Sequence, residues 1–99
     1  MENVTFEIKV GDDKVLTATI REMKFDEYRM AMMALQAQSG FDKLAAGRFV
    51  VKTCWVSGDD ELKKGDESND GMMQKAFATL CLDVFNNMIT LCDSDVKKK

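Results

Sequence analysis

Histidine is absent from all 99 residues, and with it go the commonest general base, the commonest metal ligand and every nucleophile activated by imidazole. Cys-His and Ser-His catalysis are thereby excluded. Neither GxxxxGKS/T nor GxGxxG occurs, so the phosphate cradles built on those glycine patterns are missing too. Cysteine is sparse: Cys54, Cys81 and Cys92 are odd in number and lack CxxC spacing. Structural zinc wants four thiolate or imidazole ligands, which this set cannot supply. The three thiols sit in apolar periodic segments, where they behave as small hydrophobes, and this points to a reducing compartment.

No run approaches the roughly 18 to 20 apolar residues of a membrane helix. Met1 leads straight into charged, alternating sequence without a signal peptide's apolar region. These absences predict a soluble protein that stays in the cytoplasm where it is made and has no membrane partner. Positive charge is also scarce: the net charge is -3 and the only basic run is Lys97 to Lys99. A nucleic-acid binder presents a basic face to phosphate, so no nucleic-acid partner is expected, and the lysine run reads as a solvated end.

Acidic residues are plentiful, but their spacing carries little chemistry. Asp66, Ser68, Asp70 and Gly71 fit positions 1, 3, 5 and 6 of a calcium loop, yet position 12, which should supply a bidentate carboxylate, is Phe77. Asp59, Asp60 and Glu61 are adjacent on a polar stretch with no apolar pocket implied to shift them towards acid-base work. No catalytic residue, metal or cofactor is therefore expected, and the chain reads as a non-enzyme.

What is present is an ordinary globular mixture, 45% apolar and 31% charged, at a length with room for one core, so residues 1–99 are read as a single domain. Val4, Phe6, Ile8 and Val10 alternate with polar partners, as do Leu16, Ala18 and Ile20, on either side of Gly11, Asp12 and Asp13. That is an antiparallel hairpin over 4–20. From Phe25 the period changes: Phe25, Tyr28, Met32 and Leu35 recur at helical spacing and predict a helix over about 25–38, stopped by Ser39 and Gly40. The segment 42–56 is read as a second helix, since Asp42 to Ala46 begin helically, although Phe49, Val50, Val51, Thr53, Trp55 and Val56 have strand propensity. Residues 57–70 read as a mobile acidic loop, and Ser68, Asn69 or Asp70 caps a long helix over 70–92. The fold class is α+β, a hairpin followed by about three helices.

The last helix carries more apolar surface than one stripe needs. Met73, Phe77, Leu80, Val84, Met88 and Leu91 form one row, and Cys81, Phe85, Met88 and Cys92 form a second beside it. Such a helix is either central to the core or shared with a partner. Of the eight methionines, Met30 and Met33 cannot both share the core stripe of Tyr28 and Met32. Thioether chains suit adaptable surfaces. Met30, Met33, Cys81, Phe85, Met88 and Cys92 are thus the candidate protein-binding residues, facing other proteins or a second copy in a homo-oligomer.

The order of parts carries a resemblance. A short hairpin runs into Thr19-Ile20-Arg21-Glu22-Met23-Lys24-Phe25-Asp26-Glu27-Tyr28 and then an all-helical remainder with a polar loop. This resembles small tail assembly chaperones of long-tailed bacteriophages, over residues 4 to 35 in sequence and over the rest in layout. Met23 and Lys24 stand where that family's phrase more often has Leu or Pro and Thr, so the first helix has no hydroxyl cap. The resemblance implies a non-catalytic protein of the infected bacterium's cytoplasm that binds tape measure protein and helps recruit tail tube subunits. Two other classes compete: a virion structural or connector protein, with the apolar surface in a permanent symmetric assembly, and an acidic inhibitor of a host nucleic-acid-binding enzyme, with Asp59 to Asp70 imitating phosphates.

Overall fold

Alternation of apolar and polar side chains builds strand β1, Asn3–Val10, and strand β2, Lys14–Arg21. The computed structural model of the chain describes residues 3–36 and 42–89 and pairs the two strands antiparallel, from Asn3↔Arg21 to Val10↔Lys14. Gly11, at φ 68°, begins the reversal, a backbone region open to glycine without steric cost. One face of the hairpin buries Phe6, Ile8, Val10, Leu16, Ala18 and Ile20. The other carries Thr5, Glu7, Lys9, Thr17 and Thr19, with the Thr5 and Thr19 hydroxyls 3.0 Å apart.

Helix α1 spans Phe25–Leu35. Lysine has no acceptor with which to cap it, and the helix start is satisfied instead from inside: the Glu27 carboxylate accepts the Lys24 N–H at 2.8 Å. The expected continuation to residue 38 falls outside the described residues. Helix α2, Lys43–Cys54, starts at Asp42, whose side chain accepts the Ala45 N–H at 2.9 Å.

The expected second helix does not reach residue 56. Trp55–Gly58 forms strand β3, which pairs antiparallel with β2 and turns the hairpin into a three-stranded sheet of order β1-β2-β3. The reason is that Trp55 and Val56 prefer extended backbone and the open edge of β2 supplies their hydrogen bonds, with a bulge between Thr19 and Ile20 absorbing the mismatch. Asp59 lengthens the seam, accepting the Thr17 N–H at 2.8 Å on its carboxylate and donating its own N–H to the Thr17 carbonyl at 3.0 Å.

The acidic stretch is likewise not a free loop. It holds a helical turn, α3, Asp60–Lys63, and a 3-10 turn, Gly65–Glu67. Leu62 is completely buried and anchors the stretch from within. Asp66 fastens it to α2 through Arg48 at 2.8 Å and Lys52 at 3.0 Å. Helix α4, Gly71–Val84, begins at Asp70, which accepts the Met72 N–H at 3.0 Å as a cap, and continues into a π-helical turn, Phe85–Ile89. Its expected extension to residue 92 leaves the described residues after Ile89.

The described buried residues form one continuous core between the inner sheet face, α2 and α4, with Ala31 and Leu35 of α1 closing one side. Helix α4 is at its centre. A Cβ on Gly47 of α2 would meet the backbone carbonyl of Cys81, so the missing side chain lets the two helices approach backbone to backbone. That approach is how a small domain covers Cys81 and Met88 as well as Met73, Phe77, Leu80 and Val84.

Candidate protein-binding surface

The six residues singled out from sequence separate into four groups. Met30 and Met33 lie on the outer face of α1 and are 48% and 61% exposed. Cys81 is fully buried and Met88 nearly so, a correction to their assignment as binding residues: α2 packs over this part of α4 and the turn that follows it, and neither side chain is open to a partner in the folded chain. Phe85 is half-buried against the core, with the Lys43 ammonium 5.8 Å from its ring centre. Cys92 lies outside the described residues.

The outer face of α1 holds a further residue that periodicity misassigned. Phe25 was expected in the core stripe with Tyr28, Met32 and Leu35, yet it is 78% exposed. It is the first residue of the helix. On a helical wheel Phe25, Arg29, Met33, Asp26 and Met30 occupy one arc of about 140° at about 100° per residue, and all five are exposed. Met33 sits at the middle of this arc, and Arg29 places a guanidinium nitrogen 3.6 Å from its sulfur. The opposite side of α1, with Ala31 and Leu35, packs on α2. The signal available in sequence was the crowding of methionines at Met30, Met32 and Met33; nothing in it distinguished Phe25 from a core aromatic.

Beside this face is a charged junction between a strand end and the helix start. Arg21, at the end of β2, donates both guanidinium nitrogens to the Glu27 carboxylate, at 2.8 and 2.7 Å. Together with the Lys24 N–H these bonds hold the Glu27 carboxyl down at about 2, well below its ordinary range. The Cys54 thiol is 3.9 Å from Glu27, and burial pushes it up to about 11. A buried thiol held in its neutral form is a poor nucleophile, and a carboxylate locked to arginine is a poor base. The junction ties β2, α1 and α2 together rather than moving protons.

Four carboxylates of the acidic stretch are similarly occupied. Burial pushes the Asp66 carboxyl up, but the bonds from Lys52 and Arg48 outweigh it and leave it below the usual carboxylate range. Glu61 pairs with Lys14 at 2.6 Å, Asp59 is bonded to Thr17, and Asp70 caps α4. Of the residues that fitted a calcium loop, Asp66 and Asp70 thus serve other purposes, and Ser68 accepts the Asp70 N–H at 3.0 Å. Among the described residues no group of three or more His, Cys, Asp or Glu side chains is arranged to hold a metal ion, and no helix is long and apolar enough to cross a membrane. No family model matches the chain, and comparison with curated proteins and with solved structures finds no match.

Proposed function

We propose that this chain is a non-catalytic protein-binding module of the tail-assembly-chaperone kind, working in the cytoplasm of an infected bacterium and engaging a helical partner through the outer face of α1. The observation that carries the reading is the exposed apolar arc of Phe25, Met33 and Met30 on a helix whose other side is already committed to α2. A large aromatic and two flexible thioethers on one accessible face suit contact with apolar helices of varied sequence. Tape measure protein, long and helical, is the partner the resemblance implies, with tail tube subunits recruited alongside it. The engagement of Asp59, Glu61 and Asp66 within the chain itself speaks against phosphate mimicry.

The test is co-expression with a tape measure protein and, separately, with a tail tube protein. The wild-type chain is expected to keep the tape measure protein in solution and to co-purify with it, while Phe25→Asp combined with Met33→Asp removes both effects and leaves the fold intact. Equal behaviour of wild type and double variant would sink the reading. Retention of the chain in purified virions at fixed stoichiometry would replace it with a structural role.

A further inference from the structure

Strand β1 forms one border of the sheet, and no strand among the described residues pairs with its outer edge. Which of its backbone groups face outwards follows from Thr17. That residue gives both its N–H and its carbonyl to Asp59, so its backbone points away from β1. Alternation along β2 then turns Leu16, Ala18 and Ile20 towards β1, where their register partners are Ile8, Phe6 and Val4. The amides and carbonyls of Thr5, Glu7 and Lys9 are left directed out of the sheet. The 3.0 Å contact between the Thr5 and Thr19 hydroxyls agrees, because side chains approach most closely in pairs that exchange no backbone bonds.

An open edge of this kind is a template for another strand unless it is short, bulged, covered, interrupted by proline or faced with charge that the incoming strand cannot match. This one belongs to an eight-residue strand, the chain contains no proline, and the sheet's bulge is on the β3 side. Glu7 and Lys9 are exposed, and neither forms an ion pair among the described residues.

We propose that two copies of this chain pair through β1, antiparallel about a two-fold axis at Ile8, with Glu7 of each copy opposite Lys9 of the other. The register is selected by charge. Only outward-facing residues can exchange bonds across the new seam, so Thr5, Glu7 and Lys9 must oppose one another or their neighbours two along. Setting Glu7 opposite Glu7, or Lys9 opposite Lys9, brings like charges together, and a centre at Phe6 sets Glu7 against Thr5. The centre at Ile8 alone gives two opposite-charge pairs, and its symmetry makes the patch self-complementary.

The apolar face agrees with this register. Val4 shares the core side of β1 with Phe6 but is 39% exposed, and Met72 of α4, 52% exposed, lies beside Gly11 at the other end of the strand. With Ile8 on the axis, Val4 of one copy falls beside the turn of the other, next to the groove that Val10, Gly11, Met72 and Ala76 line. Each exposed apolar residue then covers the other. This interface is separate from the α1 face and stands or falls independently of the function proposed for it.

Sedimentation velocity across a concentration series tests the proposal, with circular dichroism confirming that each variant is folded. The wild-type chain is expected to be a dimer. Glu7→Lys alone and Lys9→Glu alone each set like charges opposite one another twice and should weaken self-association by about tenfold or more at low salt. Mixing these two variants should restore pairing as a heterodimer, because every facing pair is again of opposite sign. Glu7→Pro removes an outward N–H that the hairpin does not use and should give a folded monomer. A wild-type chain that stays monomeric, single variants that still dimerise, or a mixture that fails to pair each overturns the proposal.

Discussion

The Cα of Gly47 in α2 faces the carbonyl of Cys81 in α4 so closely that a single methyl group would collide with that backbone atom. Alanine is ordinarily the better helix residue by about 1 kcal/mol, but here the obstacle is main chain and cannot rotate aside. Gly47→Ala is expected to destabilise the fold by about 2 kcal/mol or more, overpacking outweighing propensity. A chemical denaturation midpoint equal to or above wild type would mean that the helices separate freely.

Acid should weaken the junction of Arg21 and Glu27. In the unfolded chain the Glu27 carboxyl titrates near 4.5, and in the folded chain at about 2. Its contribution is therefore fully present above about pH 5 and is lost as pH falls towards 2. Asp66, also depressed, adds a loss in the same direction. Melting temperature should fall steeply over that window, and Glu27→Gln should flatten the fall while lowering stability at neutral pH. Parallel curves for wild type and variant would remove Glu27 from the account.

Burial pushes the thiol of Cys54 up to about 11 and that of Cys81 up to about 12. Thiolate is the reactive form, so neither should alkylate at pH 8 in the folded protein, and both should do so once denaturant opens the core. Peptide mass spectrometry separates these two sites from Cys92. Rapid labelling of Cys81 in native buffer would mean that α2 and α4 part readily.

Leu62 supplies the only completely buried large side chain of the acidic stretch. Leu62→Ala should cost about 2 to 5 kcal/mol and release the turns around it to proteolysis near Lys63 and Lys64. A loss below about 0.5 kcal/mol, the range of surface substitutions, would restore the picture of a mobile loop.

The hairpin was legible because Val4 to Val10 and Leu16 to Ile20 alternate without exception, and α4 because Met73, Phe77, Leu80 and Val84 hold one helical stripe behind a capping Asp70. Strand β3 was not. Four residues are too few to display a period, and what makes Trp55 and Val56 extended is the edge of β2, which lies far away in sequence. Leu62 gave no signal because one apolar residue in a polar run has no partner with which to define a face. Cys81 was placed on a binding face since its cover depends on Gly47, a residue whose role is visible only once Cys81 is known to lie beside it. On the binding surface, Met30 and Met33 could be read from their crowding, whereas Phe25 satisfied the core spacing and was exposed by its position at the helix end.

Helix α2 passes into β3 between Cys54 and Trp55 without an intervening turn, so the two layers of the domain are geared to each other. A slide of the helix along its axis becomes a shear of the third strand against the second, and the first bonds to feel it are those between Asp59 and Thr17. The Thr17 amide is consequently a built-in gauge of helix position. Its hydrogen-exchange rate, set against those of Leu16 and Ala18 on the quiet side of the same strand, would read out any force that a bound protein transmits through α1 into the sheet.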